Sequence, residues 1–342
     1  MFKACKSLIL LLSCALSMPL ALADELLRAD HPDHYTVVKG DTLWDISGRF
    51  LRSPWRWPEI WHVNPQIANP HLIYPGDQLE LVYIDGKPQL RLRRGPLKLS
   101  PTVRSSPWDG AIPTIPVDAI APFLTRPYVL EQGQLDNAPY IVNYGSEHIL
   151  GAPGQKAYVR SIEQATPSKY EIVRPGGPYR DAETDEILGY EALYVGTTEL
   201  QRTGDPATVF INSVEQEAVI GDRLVAASDE RATANFTPHA PAMPFEGNII
   251  SVLNGVNQIG QYNVVVIDRG RVDGIDPGTV LRVDQRGETV RDVVTPDSRD
   301  TVTLPDEEAG LMMVFRAFER VSFGLVVHAS RVMHVNDKVR SP

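Results

Sequence analysis

The chain has 342 residues, of which 43% are hydrophobic and 22% charged, and its formal net charge is −10 at pH 7. This length and composition are typical of two or three globular domains, and the acidic balance argues against general binding of nucleic acid. The only cysteines are Cys5 and Cys14, and both precede the predicted mature chain. Disulfides, cysteine nucleophiles and zinc–thiolate sites are therefore excluded for the mature protein.

The first residues are typical of a secretory signal peptide. Lys3 and Lys6 supply a positive start, Ser7–Leu20 is mostly apolar, and Ala21-Leu22-Ala23 is a small-x-small cleavage site. We predict a signal peptide over residues 1–23 and an exported mature protein. An uncleaved membrane anchor is a weaker alternative, because the apolar run is short and interrupted. A lipoprotein is another, but the apolar run continues past its cysteine at position 14.

A compact pattern of strand, two helices and strand follows a short polar lead. Tyr35–Lys39 alternates as a strand, and Gly40–Leu43 is a turn into a helix, which Asp41 or Thr42 can cap. A second helix is predicted near Pro58, because proline is favourable in a first helical turn. The positions expected to face the core, and the returning strand, are Leu43, Ile46, Phe50, Ile60, Val63 and Gln78–Val82.

This order of elements resembles the LysM family. The residues that carry the resemblance are Tyr35-Thr36-Val37, Gly40-Asp41-Thr42-Leu43, Asn64-Pro65, Asn69-Pro70, Leu72-Ile73-Tyr74-Pro75-Gly76 and Leu79. The resemblance implies a βααβ domain over residues 34–83 that binds N-acetylglucosamine-containing glycan, here peptidoglycan. It places the ligand in a shallow groove between the turn before the first helix and the loop after the second. The implied glycan-binding residues are Gly40, Asp41, Thr42, Leu43, Asn69, Pro70, His71, Leu72 and Ile73.

The chemistry of an N-acetyl group suits two such loops. The group offers an amide donor, an amide acceptor and an apolar methyl. Exposed backbone groups in tight loops can satisfy the amide, while Leu43, Leu72 or Ile73 can contact the methyl. The structural alternative is that Asp41 and Thr42 only cap the helix, and that Leu72 and Ile73 only pack the core.

The segment between the two helices is longer and more aromatic than in a minimal LysM module. Its tryptophans, Trp55, Trp57 and Trp61, can stack on sugars or on a partner, or they can pack the module itself. We favour packing, with each indole N–H finding an acceptor, because buried tryptophans usually do so.

Residues 84–127 are predicted to be an extended linker, because prolines recur throughout their second half, and the part from Leu99 to Pro127 can lie across a neighbouring domain. Beyond the linker, short β-branched runs punctuated by Gly and Pro predict small barrels or sandwiches. We expect two related β-rich domains, over residues 128–227 and 245–341. The overall fold class is α+β. The repeat pairs Arg180-Asp181 with Arg291-Asp292, Leu188-Gly189 with Ala309-Gly310, and Gly221–Leu224 with Asn336–Val339.

The whole arrangement resembles the type IV pilus secretin-associated family, TsaP, whose C-terminal region is similar to the C-terminal domain of the flagellar T-ring protein. The residues that carry this wider resemblance are Gly247–Ile250, Val264–Gly270, Gly274–Gly278, Ala309-Gly310 and Asn336–Val339. It implies a periplasmic, peptidoglycan-associated protein, peripheral to the outer membrane, that anchors or stabilises an outer-membrane secretin ring. The implied partners are peptidoglycan and the type IV pilus secretin.

Familiar catalytic motifs are absent from the sequence. It contains no His-Glu-x-x-His, Gly-x-Ser-x-Gly or Ser-x-x-Lys. We therefore predict that the protein is not an enzyme and holds neither cofactor nor metal. The alternative is a LysM-containing cell-wall hydrolase or a regulator of one, because LysM modules often accompany such enzymes. The many carboxylates leave a glycosidase pair open.

Overall fold

A computed structural model describes residues 26–61, 73–93, 112–124, 129–145, 149–165, 167–227, 236–253, 258–295 and 299–342. The predicted signal peptide lies outside these residues. The described residues up to Pro116, with 236–239, form one compact unit, and those from Val117 to 227 and from Ala240 onward form a second. Within the described part of the chain, no helix has the length and apolar character needed to cross a bilayer.

The first unit is built on a short strand, two helical segments and a returning strand. In chain order these are β1 (His34–Thr36), α1 (Leu43–Phe50), a 3₁₀ turn (Pro54–Arg56), α2 (Trp57–Trp61) and β2 (Gln78–Ile84). β1 and β2 pair antiparallel. The expected helix face is buried, because Leu43, Ile46 and Phe50 are at most 2% exposed. Ile60 is buried as predicted, whereas Val63 lies outside the described residues.

Regular structure also occurs within the range predicted to be linker. β3 (Lys87–Arg93) pairs with β2 along its whole length. The two strands are joined by Asp85 and Gly86, which have φ of 50° and 75°, as a tight two-residue hairpin requires. Leucines alternate with arginines in β3, so that Leu90 is buried against the core while the arginines face outward. Further along, α3 (Val117–Leu124) contains Pro122.

After α3, the second unit contains a six-stranded closed sheet, together with one short strand and one short helix. Its elements are β4 (Val129–Leu130), α4 (Gln132–Asn137), β5 (Tyr140–Tyr144), β6 (Lys156–Arg160), β7 (Lys169–Arg180), β8 (Ile187–Arg202), β9 (Ala207–Val214) and β10 (Arg223–Ala226). The strand order is β8-β7-β10-β5-β6-β9, and pairing of β8 with β9 closes the ring. β4 pairs with β8 outside the ring. We call this ring barrel 1.

A second closed barrel follows. Its strands are β11 (Glu246–Leu253), β12 (Val264–Ile267), β13 (Val280–Gln285), β16 (Glu307–Ala317), β17 (Ser322–Ala329) and β18 (Lys338–Arg340). They close in the order β11-β12-β17-β16-β13-β18. A separate hairpin of β14 (Thr289–Arg291) and β15 (Thr301–Thr303) lies between β13 and β16 in the chain. We call the ring barrel 2, and its interior holds a continuous apolar core.

The two barrels have the same connectivity, which supports the internal repeat suggested by the sequence. When β5 to β10 are matched in order with β11, β12, β13, β16, β17 and β18, every neighbouring pair in one ring recurs in the other. The registers agree. Ile172 pairs with Gly196 and Leu224 in barrel 1, and the residues in the same places of barrel 2 pair as Val283 with Gly310 and Val339.

One pairing within the repeat needs correction. The structural equivalent of Ala309-Gly310 is Val195-Gly196 and not Leu188-Gly189, because β7 and β8 continue beyond the barrel as a long hairpin. Together, the LysM-like βααβ module and the mostly-β region that follows it confirm the predicted α+β fold class.

A Gly-Asp turn recurs before a strand in all three folded parts. The carboxylates of Asp77, Asp222 and Asp337 each accept the backbone N–H of the residue three positions earlier, at 3.1, 2.8 and 2.7 Å. The residue before the aspartate has positive φ in each case. It is glycine in the first two turns and Asn336 in the third, with φ of 75°. Asparagine tolerates this left-handed conformation better than most residues.

Candidate glycan-binding site

The turn before α1 is held by Asp41. Its carboxylate accepts the Val38 N–H and the Tyr35 hydroxyl, both at 2.9 Å. Burial, followed by the hydrogen bond to Asp41, raises the pKa of Tyr35 above its usual value. The Arg49 guanidinium lies 4.6 Å from the centroid of the Tyr35 ring. Gly40 has a φ of 97°, so the turn depends on a residue without Cβ. The Asp41 side chain therefore stabilises the turn before α1.

Thr42 caps helix α1. Its hydroxyl accepts the Asp45 N–H at 3.1 Å, and the Asp45 carboxylate accepts the Thr42 N–H at 3.3 Å, forming a capping box. The Thr42 hydroxyl also donates to the same carboxylate at 2.7 Å. The residue is only 4% exposed. The capping role that the sequence offered as an alternative is therefore present.

We expect Thr42→Ala to lower the free energy of unfolding of the module by about 1 kcal/mol, because loss of a helix N-cap typically costs this much. Thr42→Ser keeps the hydroxyl and serves as the matched control. Thermal and urea unfolding of both variants measures the difference. Equal stability of the alanine and serine variants would show that the hydroxyl does not support the helix.

The first predicted loop is described in full, but most of the second is not. Asn69, Pro70, His71 and Leu72 lie outside the described residues, and Ile73 is the member of that loop whose position is known. Leu43 and Ile73 are 2% and 0% exposed, and both belong to the core of the module. Their side chains are therefore packed inward, whereas their backbone polar groups are directed to a further segment of the chain.

That segment comprises residues 112–116, Ile-Pro-Thr-Ile-Pro, which we call the strap. The Pro113 carbonyl accepts the Leu43 N–H at 2.9 Å, and the Thr114 carbonyl accepts the Trp44 N–H at 3.2 Å. In the other direction, the Ile112 N–H donates to the Ile73 carbonyl at 2.8 Å. The strap thus joins the two loops predicted to flank the glycan. The sequence places it in a linker that can lie across a neighbouring domain, but does not identify these contacts.

The tryptophans of the inter-helix segment are mostly packed inside the module. Trp57 and Trp61 are 2% and 6% exposed, and their rings meet edge to face with centroids 6.4 Å apart. Trp55 is half-buried. Packing is confirmed for the first two, but the expectation that each indole N–H finds an acceptor is not met among the described residues, where both Nε1 atoms lack a partner.

The described residues contain no cluster of three or more His, Cys, Asp or Glu side chains able to hold a metal ion. The second unit has a cleft of about 420 Å³ lined by the β7–β8 hairpin and by barrel 2. Asp181 and Glu191 line it. Asp181 is paired with Arg269 at 3.1 Å, and burial raises the pKa of Glu191.

Comparison with known proteins gives the class of the N-terminal module. The LysM domain family matches residues 35–81. YqbP of Bacillus subtilis (strain 168), described only as an uncharacterized protein, is 42% identical over 60 residues. The alignment covers 15% of this chain, and the chain spans 27% of that relative's length. The predicted LysM resemblance is confirmed for this module, and LysM domains bind the glycan chains of peptidoglycan.

Proposed function

We propose that this protein is a non-catalytic, exported anchor that binds peptidoglycan through its LysM module and holds an outer-membrane secretin ring through its β-rich region. The proposal of peptidoglycan binding rests on the LysM match over residues 35–81. This match coincides with a turn whose backbone geometry is fixed by Gly40 and Asp41. Such pre-set donors and acceptors recognise an amide without the entropy cost of ordering a loop.

The second half of the proposal rests on the two β barrels and on the resemblance to the secretin-associated family. Barrel 2 carries the β14–β15 hairpin, whose turn leaves Val293 and Val294 more than 80% exposed. The base of this hairpin is anchored, because Asp306 accepts the Gly287 N–H at 3.1 Å and pairs with Lys338 at 3.3 Å. A fixed support that presents exposed apolar side chains suits a protein partner.

Sedimentation with purified peptidoglycan tests the wall-binding half. We expect the full mature protein to sediment with the sacculi, and soluble N-acetylglucosamine oligomers to release it. A single module binds weakly, and the repeating glycan raises the local concentration of sites. Failure to sediment at high protein concentration would contradict wall binding. Zymography on the same sacculi separates an anchor from a hydrolase, because a clearing band from the mature protein would contradict the non-catalytic proposal.

Affinity purification from envelope extract tests the secretin half. The tagged mature protein is expected to recover the type IV pilus secretin, and Val293→Asp with Val294→Asp is expected to reduce that recovery. Ile149→Asp is the matched control, because Ile149 is 82% exposed but belongs to the region of barrel 1. Equal recovery by all three proteins would argue against the hairpin, and absence of the secretin from every sample would argue against the partner.

A further inference from the structure

The strap occupies backbone groups that an N-acetyl ligand would use. It lies well beyond residue 81, where the LysM match ends, yet Ile112 is part of the core of the module. Leu43 and Trp44 direct their N–H groups to the strap, and Ile73 directs its carbonyl to it. These groups belong to the two loops predicted to flank the glycan. The strap therefore connects the first loop to Ile73 in this structure.

The strap and an acetamido group offer the same kinds of hydrogen-bonding group. An acetamido group carries one carbonyl acceptor and one N–H donor on a single amide, and the strap offers both kinds on separate peptide units. The Pro113 carbonyl accepts the Leu43 N–H, and the Ile112 N–H donates to the Ile73 carbonyl. The buried Ile112 side chain provides an apolar group, as the acetamido methyl would. An acetamido group can therefore meet the Leu43 N–H and the Ile73 carbonyl if the strap withdraws.

The docked strap contains one buried polar group without a hydrogen bond. Thr114 is 0% exposed, and its hydroxyl has no hydrogen-bond partner among the described residues. A buried hydroxyl without a partner is unfavourable relative to one in water. Withdrawal of the strap would return this hydroxyl to solvent, which offsets part of the loss of its other contacts. These contacts are compatible with a segment that a ligand can replace.

We propose that residues 112–116 act as an intramolecular competitor that covers the glycan groove and is displaced when peptidoglycan binds. This inference rests on the proposed function of the LysM module. A binding site that is open in only a fraction of molecules has an apparent affinity reduced by that fraction. The strap therefore lowers the apparent affinity for short or isolated glycans. In the wall, the high local concentration of glycan offsets this loss, so binding there is retained.

Titration calorimetry with chitopentaose measures the effect. In the full mature protein, replacement of residues 112–116 by Gly-Ser-Gly-Ser-Gly, or the milder Ile112→Ala, is expected to lower the dissociation constant about tenfold or more, because the open fraction rises. Leu27→Ala is the matched control. Leu27 is 5% exposed in the same core and bridges to Leu51, and none of the hydrogen bonds described for the strap involves it, so its truncation is expected to loosen the module while the strap hydrogen bonds stay in place. Circular dichroism checks that each variant is folded.

Amide hydrogen exchange of the unmodified protein gives a second readout that does not depend on a variant. We expect saturating chitopentaose to speed exchange at Ile112, whose N–H is bonded to Ile73 here, while Leu43 stays protected by the glycan. If glycan binds and Ile112 stays protected, or if the folded strap variants bind no more tightly than the parent, the strap is a fixed part of the fold and the inference is wrong. If no folded variant binds chitopentaose, the glycan function itself fails.

Discussion

Asp222→Ala is expected to lower the free energy of unfolding of the second unit by about 3 kcal/mol. Asp222 is 1% exposed, and its carboxylate accepts the Nε–H and one Nη–H of Arg174, at 2.9 and 3.0 Å, as well as the Val219 N–H. Removing one partner of a buried ion pair typically costs about 3–5 kcal/mol, because the remaining charge is left without compensation. The lower end applies because the Arg174 side chain remains 32% exposed and water can screen it.

Urea unfolding of the protein measures this loss, with Asp185→Asn as the matched control, because Asp185 has a φ of 58° that asparagine also tolerates. Asp185 also pairs with an arginine, Arg180 at 3.2 Å, but its side chain is 83% exposed. Surface pairs of this kind contribute little, so the control is expected to change stability by less than about 0.5 kcal/mol. A loss of less than about 1 kcal/mol for Asp222→Ala would show that the pair does not hold the turn before β10.

Replacing Gly196 in barrel 1 or Gly310 in barrel 2 by alanine is expected to lower the free energy of unfolding by about 3 kcal/mol or more. A Cβ at Gly310 would overlap the His328 carbonyl oxygen and lie 2.5 Å from the Met333 methyl carbon. At Gly196 it would overlap the Ser213 carbonyl oxygen. Overpacking usually costs about 1–3 kcal/mol, and here the obstacle is strand backbone, which cannot rotate aside as a side chain can.

Gly133→Ala is the matched control for these two variants. Gly133 lies in α4, and a Cβ there would meet nothing within 4 Å. Alanine is the better helix former, so this variant is expected to be equal to the parent or more stable by up to about 1 kcal/mol. Thermal unfolding compares the three. Tolerance of alanine at both barrel positions would contradict the close approach of neighbouring strands that closes each ring.

Local patterns predicted most of the secondary structure. The apolar spacing of Leu43, Ile46 and Phe50 identified α1, and β-branched runs such as Val264–Ile267 identified barrel strands. Barrel closure could not be predicted, because it depends on pairings between strands distant in sequence, such as Asn248 with Lys338. The Gly-Asp turns made the repeat recognisable in the sequence, because their geometry is set by neighbouring residues. The long β7–β8 hairpin obscured which glycine in β8 matched Gly310.

The candidate site was only partly predictable for a similar reason. The turn at Gly40 and the cap at Thr42 are local, and the sequence identified both roles. The docking place of the strap was not predicted, because prolines on either side of Thr114 indicate an extended backbone and do not indicate where it docks. Its usable signal was the pair of isoleucines set among these prolines, Ile112 and Ile115, and both are buried. Buried apolar residues in a supposed linker favour docking on a neighbouring surface.

Titration of the full mature protein with chitopentaose and with cellopentaose tests the central claim most directly. The two oligomers share a β-1,4-linked glucose backbone, and only chitopentaose carries acetamido groups. The Leu43 N–H and the Ile73 carbonyl can meet the acceptor and the donor of an acetamido group, whereas a sugar hydroxyl has one oxygen for both roles and carries no apolar methyl. The proposal predicts saturable binding of chitopentaose and none of cellopentaose. Equal binding of both oligomers, or binding of neither by a folded strap variant, would contradict it.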